Sequence, residues 1–244
     1  MIVGGGPGDP DLLTVRARRA LDGADVVVVD RLAPRSVLAG LSPGIEVVDV
    51  GKAPGSHPVP QEQINAVLVA HALAGRVVVR LKGGDPYLLG RGGEEVAACR
   101  AAGVEVEVVP GVTSAVAVPS AAGIPVTHRG LSRAVTVISG HDGADWRALV
   151  ALGGTLVVLM GVAALPRIVE GLAGAGMPGS MPVAVIERGC TPDQRTTVGT
   201  LASIVDLAVR GGLESPAVIV IGAVAALADE AVGLAGVSGL HQVC

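Results

Sequence analysis

The segment 79–95 concentrates residue types that can bind and transform a ligand. Two arginines, one lysine, one aspartate and two glutamates stand there among five glycines. Glycine tolerates backbone angles that other residues avoid and lets a ligand come close to the main chain. Asp85 offers a carboxylate, and Pro86 stiffens the chain behind it. A single Gly-Gly-Asp would indicate only a turn, but this excess of charge around glycine predicts a binding loop.

The sequence on either side predicts how that loop is held. Residues 75–81 combine a glycine with a run of β-branched residues, which indicates a turn and a short buried strand. Residues 94–100 begin with two glutamates, and the helix dipole favours acidic residues in the first turn of a helix. The pattern is therefore strand, loop and helix. In open α/β sheets, ligands bind at the carboxyl ends of the strands, where this loop lies.

Charged residues also follow the other predicted strands. Basic residues outnumber acidic ones in this set, and the set contains both lysines of the chain. Because arginine can hold a carboxylate through two hydrogen bonds, the sequence predicts a ligand that carries carboxylates. The set is Asp30, Arg31, Lys52, His57, Lys82, Asp85, Arg91, Glu94, His128, Arg129 and Arg133.

Two other kinds of chemistry are not expected. His57 and His128 have no third ligand at a spacing typical of a metal site, so we expect no bound metal. Ser114 and Ser120 lack the context of a hydrolase nucleophile.

Met160 ends a predicted buried strand, so we expect its side chain to fill the core. The end of the strand could also offer main-chain groups to a ligand.

Composition narrows the class of protein. The 244 residues are 50% hydrophobic and 16% charged, which is typical of a folded protein with a sizeable core. The net charge of −4, the absence of phenylalanine and the single Trp and Tyr argue against nucleic-acid binding. Three scattered cysteines favour a reducing cytoplasm over a disulfide framework. No apolar stretch reaches the ~20 residues of a membrane span, so we expect no membrane association.

The first part of the chain alternates strands with helices. Residues 1–3 lead into a glycine loop at 4–10, where Pro7 removes an amide donor and no Gly-Lys-Ser/Thr follows, so the loop suits a ligand without phosphates. The continuous apolar run at 24–30 indicates a parallel sheet covered on both faces. This alternation predicts a doubly wound α/β lobe. Its expected strands are 1–3, 24–30, 45–50, 75–81 and 104–109, and its expected helices are 11–21, 60–74 and 94–100.

A change of rhythm predicts the division into domains. We expect residues 1–111 to form an N-terminal α/β lobe with glycine-rich loops, 112–130 a crossing segment, and 131–244 a C-terminal α/β lobe. Two lobes that meet at a cleft are the expected layout. The expected strands of the second lobe are 134–139, 155–160, 182–187 and 217–221, with an added antiparallel strand at 194–198. Its expected helices are 145–151, 165–175, 201–209 and 224–230.

With these residues assembled, the chain resembles the tetrapyrrole methylase family over nearly its whole length. Segments 52–65 and 123–129 favour the subgroup that acts on uroporphyrinogen III. The residues that carry the resemblance are the glycine loop 3–14, Asp30-Arg31-Leu32, Gly51-Lys52 with Gly55 and His57, 80–95, 110–115, 123–129, Met160-Gly161, 187–189 with 191–195, and 215–217.

The resemblance implies the tetrapyrrole methylase fold, in which two α/β lobes hold the active site in the cleft between them. It implies an enzyme that transfers two methyl groups in succession from S-adenosyl-L-methionine to pyrrole carbons of uroporphyrinogen III, with S-adenosyl-L-homocysteine as the second product. The methylated product would be precorrin-2, which feeds siroheme and/or cobalamin biosynthesis. The resemblance also implies a homodimer.

The resemblance assigns site residues as well. It places an acid/base pair at Asp30 and Lys52, and substrate-handling positions at Arg91, Glu94 and Arg129. The chemistry agrees, because a pyrrole carbon is already a nucleophile and a sulfonium methyl group is already activated. The protein must therefore align the two, exclude water and manage a proton. The cofactor contacts that the resemblance implies are Pro7, Gly83, Gly84, Asp85, Leu88, Thr113, Ser114, Met160, Gly189 and Ala217.

Two alternative hypotheses stay open. One is another tetrapyrrole methylase that acts on a later corrin precursor, and the other is a non-catalytic module that only binds S-adenosylmethionine. The intact acid/base and substrate-handling candidates favour an enzyme.

The chain departs from the family pattern at Tyr87-Leu88-Leu89 and at Leu159, where the family usually has aromatic residues. This departure predicts looser packing against adenine or the macrocycle.

Overall fold

The computed structural model describes residues 1–51, 59–141 and 143–228. The chain forms two compact units, one that ends at Thr113 and one that begins at Ser114. Both units contain strands and helices, which confirms the predicted α/β class. None of the helices in the described ranges has the length and the apolar run that a bilayer crossing requires.

The first unit is built on a five-stranded parallel sheet. In pairing order its strands are β3 (Glu46–Asp49), β2 (Val26–Val29), β4 (Val78–Lys82), β1 (Ile2–Gly4) and β5 (Val108–Val109). Every valine of β2 is fully buried, as expected for a strand that is covered on both faces. The parallel sheet predicted from the alternation of elements is confirmed, although β5 is shorter than the predicted 104–109.

Helices cover both faces of this sheet. α1 (Val15–Asp22) packs on one face with Leu81 of β4. α2 (Gln61–Leu73) and α3 (Gly92–Ala101) pack on the other face with Val78. Apolar side chains fill both layers, so both faces of the sheet are removed from water.

The predicted helix 11–21 is wrong in one respect. The chain forms a short 3₁₀ helix at Pro10–Leu12, breaks, and then begins α1. The break arises because the Thr14 hydroxyl accepts a hydrogen bond from the Ala17 amide at 3.1 Å and so caps a new helix. Asp9 caps the 3₁₀ turn with the same kind of bond.

The second unit holds a mixed five-stranded sheet. In pairing order its strands are β6 (Val135–Ser139), β7 (Thr155–Leu159), β10 (Ala217–Ile221), β8 (Pro182–Glu187) and β9 (Arg195–Thr200). β6 and β7 run parallel, whereas β10 is antiparallel to both β7 and β8, and β9 is antiparallel to β8. The added antiparallel strand predicted near 194–198 is confirmed as β9.

The described part of this unit has an aliphatic core and four α-helices. They are α4 (Ser114–Ala121), α5 (Trp146–Leu152), α6 (Leu165–Gly174) and α7 (Ile204–Arg210). Leu, Ile and Val side chains of α6, α7, β7, β8 and β10 make up that core. The segment Ala223–Leu227 is a 3₁₀ helix where the sequence predicts an α-helix at 224–230, whose last two residues lie outside the described ranges.

A buried carboxylate makes the stability of this unit depend on pH. The Glu187 side chain is fully buried and accepts hydrogen bonds from Arg195 Nη2 and from the Glu214 amide, each at 2.8 Å. Burial alone would raise the pKa of Glu187, but these donors and the charge of Arg195 hold this pKa below its usual value. The ionised carboxylate therefore stabilises the folded unit.

We expect Glu187→Gln to lower the melting temperature at neutral pH and to lose this effect in acid. Because the folded-state pKa is lowered, the stabilisation is complete above the unfolded value of about 4.5 and disappears as pH falls through the folded value. Each 1 kcal/mol lost shifts the melting temperature by roughly 2–4 °C in a chain of this size. Thermal melting of both proteins by circular dichroism from neutral pH to about pH 3 measures the difference. A difference that stays constant over this range would contradict the expectation.

Candidate active site

The glycine loops after β1 and β4 are joined by main-chain hydrogen bonds. The Gly84 amide donates to the Gly6 carbonyl at 2.6 Å, and the Gly6 amide donates to the Gly84 carbonyl at 3.3 Å. Gly6 and Gly84 have φ angles of 78° and 64°, which glycine adopts without strain. The half-buried Pro7 follows directly. Two of the predicted loops thus meet at the carboxyl ends of neighbouring parallel strands.

Asp85 connects these loops to the residues that follow β5. Its Oδ2 atom accepts a hydrogen bond from the Gly111 amide at 3.1 Å, and its Oδ1 atom caps the following turn. A Cβ atom on Gly111 would lie 2.7 Å from the Gly4 Cα, and one on Gly83 would lie 2.6 Å from the Leu32 carbonyl oxygen. One use of these glycines is therefore the close approach of the chain to itself.

Asp30 follows β2 and is held at both carboxylate oxygens. Oδ1 accepts hydrogen bonds from the Leu32 amide at 3.1 Å and the Ala33 amide at 3.0 Å. Oδ2 accepts a hydrogen bond from Arg80 Nη2 at 3.1 Å. The Asp30 side chain is 27% exposed, so a carboxylate of fixed orientation is open to solvent at the strand ends.

Behind Asp30 lies a buried charge cluster formed by Arg80, Lys82 and Glu95. Glu95 Oε1 accepts hydrogen bonds from Arg80 Nε and Lys82 Nζ, each at 3.0 Å, and Gln61 Nε2 reaches the same oxygen at 3.3 Å. The Arg80 side chain is 2% exposed and that of Glu95 is fully buried. Burial and the charge of Arg80 lower the pKa of Lys82, while Glu95 opposes this change.

Arg80 and Glu95 are not among the site residues predicted from the sequence. Glu95 is predicted only as an acid in the first turn of a helix, and the candidate predicted there is Glu94. A signal exists in β4, where Arg80 and Lys82 alternate with apolar residues, so that charge repeats on one face of the strand. Because a buried arginine requires a partner, that alternation indicates a buried carboxylate nearby.

Arg91 and Glu94 form an exposed pair at the start of α3. Arg91 Nε and Nη2 donate hydrogen bonds to the two Glu94 oxygens at 2.8 and 2.7 Å. This contact lowers the pKa of Glu94 and raises that of Arg91. Arg91 has a φ angle of 57°, so the backbone turns sharply just before the helix. Glu94 therefore occupies the guanidinium edge that could bind a substrate carboxylate.

In the second unit, three cofactor candidates lie at one end of the sheet. Met160 follows β7, Gly189 follows β8 and Ala217 begins β10. Because β10 is antiparallel to both neighbouring strands, its start lies beside the ends of β7 and β8, and the three positions lie at the same end of the sheet. Met160 has a φ angle of 57° and is 38% exposed, so the expectation that it fills the core is wrong. The chain leaves the sheet in a left-handed turn there and takes Met160 out of the packed layer.

Gly189 stands at a tight packing point of the second unit. A Cβ atom there would overlap the Val118 side chain of α4. Its neighbours Arg188 and Cys190 both have positive φ angles, of 45° and 59°. Cys190 is buried, which is typical of a cysteine that packs in the protein and not of a reactive thiol.

The remaining candidates are placed as follows in their own units. Arg129 is exposed, Leu88 and Thr113 are half-buried, and Ser114 is the half-buried first residue of α4. Lys52 lies outside the described residues, as does the whole segment 52–58 that contains His57. In the part of the chain that the structure describes, no group of three or more His, Cys, Asp or Glu side chains could hold a metal ion.

The two units define an α/β protein. Glycine loops and the Asp30 carboxylate lie at the strand ends of the first sheet, and Met160, Gly189 and Ala217 lie at one end of the second. The family model described as Tetrapyrrole (Corrin/Porphyrin) Methylases matches residues 1–205. The chain belongs to this family.

Individual relatives are similar to this chain over more than nine-tenths of its length. A protein of Methanosarcina barkeri (strain Fusaro / DSM 804), named S-adenosyl-L-methionine-dependent uroporphyrinogen III methyltransferase, is 52% identical over 93% of this chain and 92% of its own. The structure of uroporphyrin-III C-methyltransferase from Thermus thermophilus complexed with S-adenyl homocysteine is 43% identical, with a TM-score of 0.79, over 93% of this chain and 98% of its own.

Two further similarities bear on the choice of reaction. The structure of a cobalt precorrin-4 methyltransferase of cobalamin biosynthesis is 28% identical, with a TM-score of 0.82, over 92% of this chain and 94% of its own. The chain spans about half the length of the curated siroheme synthases it matches, such as that of Methylobacillus flagellatus at 44% identity.

Proposed function

We propose that this chain is a uroporphyrinogen-III C-methyltransferase that uses S-adenosyl-L-methionine. It methylates two pyrrole carbons of uroporphyrinogen III in succession and yields precorrin-2, which feeds siroheme and/or cobalamin biosynthesis. The observation that carries the proposal is the 52% identity, over nearly the whole of both chains, with a relative named for this activity.

The cofactor candidates fit S-adenosylmethionine by their chemical character. They offer main-chain groups and small or apolar side chains, and Asp85 is the one charged residue among them. A phosphate group would require a cluster of lysines and main-chain amides, and these residues do not form one. A nucleoside sulfonium, which carries no phosphate, suits this surface. Pro7, Gly83, Leu88, Met160 and Ala217 are proposed to contact it. When bound, S-adenosylmethionine supplies an activated methyl group.

Asp30 is proposed to take the proton that the methylated ring must lose. The ring that gains a methyl group carries an extra positive charge until a proton leaves. The Asp30 carboxylate is oriented by two amides and by Arg80, and a carboxylate oxygen with one partner can accept a further hydrogen bond. Lys52, outside the described residues, is proposed as its acid partner.

Arg91 and Arg129 are proposed to hold carboxylates of the substrate, which carries eight of them. Glu94 holds Arg91 in place, and both side chains are exposed. Because an exposed ion pair is worth little, a substrate carboxylate can replace Glu94 on the guanidinium at low cost. Glu94 thus keeps the arginine extended and gives way when substrate binds. Arg129 is exposed in the second unit.

We expect Arg91→Gln and Arg129→Gln each to raise the KM for uroporphyrinogen III by roughly 10–100-fold, because each removes a charged hydrogen bond worth about 1.5–3 kcal/mol. The Kd for S-adenosylhomocysteine, measured by calorimetry, should not change. Arg76→Gln is the control, since Arg76 also pairs with a glutamate, Glu46, but precedes β4 at the opposite end of the sheet. Unchanged KM in both variants would contradict the carboxylate-binding role.

The proposed function is tested by anaerobic incubation with enzymatically made uroporphyrinogen III and S-adenosylmethionine. The absorbance and mass of the extracted product should show a gain of two methyl groups. A preparation that binds S-adenosylhomocysteine but leaves uroporphyrinogen III unmethylated would overturn the substrate assignment.

Methylation of a later corrin precursor is the second candidate. The TM-score of 0.82 with a cobalt precorrin-4 methyltransferase, against 0.79 with the Thermus thermophilus protein, favours it. The corresponding identities of 28% and 43% favour uroporphyrinogen III. Nuclear magnetic resonance of the product separates the two, since it reports which carbon carries the new methyl group. Binding of S-adenosylhomocysteine without product from any tetrapyrrole would indicate a non-catalytic module.

We also propose that the chain acts as a homodimer in the cytoplasm. The support is the resemblance of nearly the whole chain to a family of homodimers, together with the small number of cysteines. Sedimentation of the purified chain measures the state of assembly, and a monomer at micromolar concentration would contradict the dimer.

A further inference from the structure

One face of β4 changes from apolar to charged along the strand. Val78 packs with α2 and α3 in an apolar layer. The next residues on that face are Arg80 and Lys82, because side chains alternate along a strand. β2 pairs Val28 with Arg80, and Asp30 follows on the same face of the sheet. The buried charge cluster therefore lies directly beneath the carboxylate that we propose as proton acceptor.

Arg80 is fully engaged between the buried cluster and Asp30. Its Nε atom donates to Glu95 Oε1 at 3.0 Å, and its Nη2 atom donates to Asp30 Oδ2 at 3.1 Å. Its Nη1 atom donates to the carbonyls of Leu81 at 3.1 Å and Val28 at 3.4 Å. Because a guanidinium is planar and rigid, fixing one side of it with Glu95 fixes the side that faces Asp30.

The cluster is poorly arranged as a source of stability. Arg80 and Lys82 share a single oxygen of Glu95, while Glu95 Oε2 has no hydrogen-bond partner among the described residues. Buried ion pairs must overcome the cost of removing charges from water, and an unsatisfied carboxylate oxygen adds to that cost. Apolar side chains would fill this layer at less cost, so the cluster calls for a reason other than folding.

We propose that Glu95 is a positioning residue for the methyltransfer reaction. Through Arg80 it holds the Asp30 carboxylate in the orientation that receives the proton, and through Lys82 it balances a second buried charge beneath the site. This inference rests on the proposed function and adds residues to it. Glu95 itself is buried and does not touch substrate.

The test compares Glu95→Gln with the wild-type enzyme. Glutamine keeps the size of the side chain and an oxygen for Arg80, but it removes the charge that fixes the guanidinium. We expect kcat to fall about 10–100-fold, the loss typical of a small misplacement of a reacting group. The KM values and the Kd for S-adenosylhomocysteine should remain near wild type. The melting temperature should fall, because Arg80 and Lys82 lose the buried carboxylate that they share, so the rates are measured well below it. A loss of kcat that comes with a raised KM or a raised Kd would indicate a merely structural role and overturn the proposal.

Glu46→Gln is the matched control. Glu46 also pairs with an arginine, Arg76, but it begins β3 at the opposite end of the sheet. It should keep the wild-type kcat. If Glu95→Gln also keeps the wild-type kcat, the proposal is wrong.

Two further variants protect the test against a folding defect. The double variant Arg80→Gln with Glu95→Gln removes both charges of that pair and leaves Lys82, whose pKa burial lowers, free to release its proton. It should therefore melt closer to wild type than Glu95→Gln does, and its kcat should stay low because Asp30 has lost its hydrogen bond from Arg80. Recovery of the wild-type kcat would overturn the proposal. In an Asp30→Asn background, Glu95→Gln should have little additional effect, whereas full additivity would show that Glu95 does not act through Asp30.

The possible failures are distinguishable. If the wild-type chain methylates no tetrapyrrole, the proposed function fails. If it methylates uroporphyrinogen III but Glu95→Gln behaves as wild type, only the positioning role fails. Where Asp30→Asn has no measurable turnover, the split between kcat and KM in the single variant decides the question.

Discussion

Asp30→Asn is expected to lower kcat by roughly 10²–10⁴-fold, the range typical of losing a general base. Asparagine keeps the shape of the side chain and an oxygen for the Leu32 and Ala33 amides, so the turn after β2 should be retained. It removes the charge that Arg80 holds and, with it, the proposed acceptor for the proton that the methylated ring loses. Because the loss concerns a proton transfer and not binding, the KM for uroporphyrinogen III should change much less than kcat.

The matched control for this prediction is Asp25→Asn. Asp25 precedes β2 at the opposite end of the strand, where its Oδ2 atom accepts a hydrogen bond from the Val77 amide at 2.7 Å. The variant loses the same charge in the same sheet, and we expect its kcat to stay within about twofold of wild type. Initial rates of methyl incorporation from radiolabelled S-adenosylmethionine measure both. Wild-type kcat in Asp30→Asn would remove Asp30 as the proton acceptor.

Local patterns were sufficient to predict most of the first unit. Continuous valine runs predict β2 and β4, because only a sheet covered on both faces accommodates them. The pattern at 60–74 predicts α2, which is observed at Gln61–Leu73. Here the local signal and the tertiary environment agree, and so the sequence alone is informative.

The buried charge cluster could not be predicted in the same way. Glu94 and Glu95 are adjacent acids in the first turn of one helix, yet Glu94 is exposed and Glu95 is fully buried. The difference is set by which face of α3 packs on the sheet, and that depends on the register of β4 beneath it. Glu95 is buried because Arg80 and Lys82 meet it there, a contact across 13 or more residues of chain.

Met160 shows the limit of a strand pattern. The run at 155–160 predicts a buried strand that includes its last residue, and β7 indeed spans Thr155–Leu159. The backbone of Met160 is left-handed, which a pattern of apolar residues does not indicate for a non-glycine residue. The exposure that makes Met160 available to a ligand arises from this single turn.

Gly111→Ala is the second substitution for which we expect a large effect. A Cβ atom at Gly111 would lie 2.7 Å from the Gly4 Cα and would also overlap the Gly84 carbonyl oxygen. These neighbours are main-chain atoms of β1 and of the loop after β4, so no side chain can rotate to make room. Overpacking of this kind costs about 1–3 kcal/mol or more. Because Asp85 accepts a hydrogen bond from the Gly111 amide, the displacement should also weaken the binding of S-adenosylhomocysteine.

Gly93→Ala is the matched control for the same change of one methyl group. A Cβ atom at Gly93 meets nothing within 4 Å, and the residue lies in the first turn of α3. Alanine is favoured over glycine in helices by up to about 1 kcal/mol, so the control should melt at or above the wild-type temperature. For Gly111→Ala we expect a melting temperature lower by roughly 2–4 °C per kcal/mol lost. If the two variants melt alike, the junction of the three strand ends tolerates an added methyl group, and the glycine at 111 is not required for close packing.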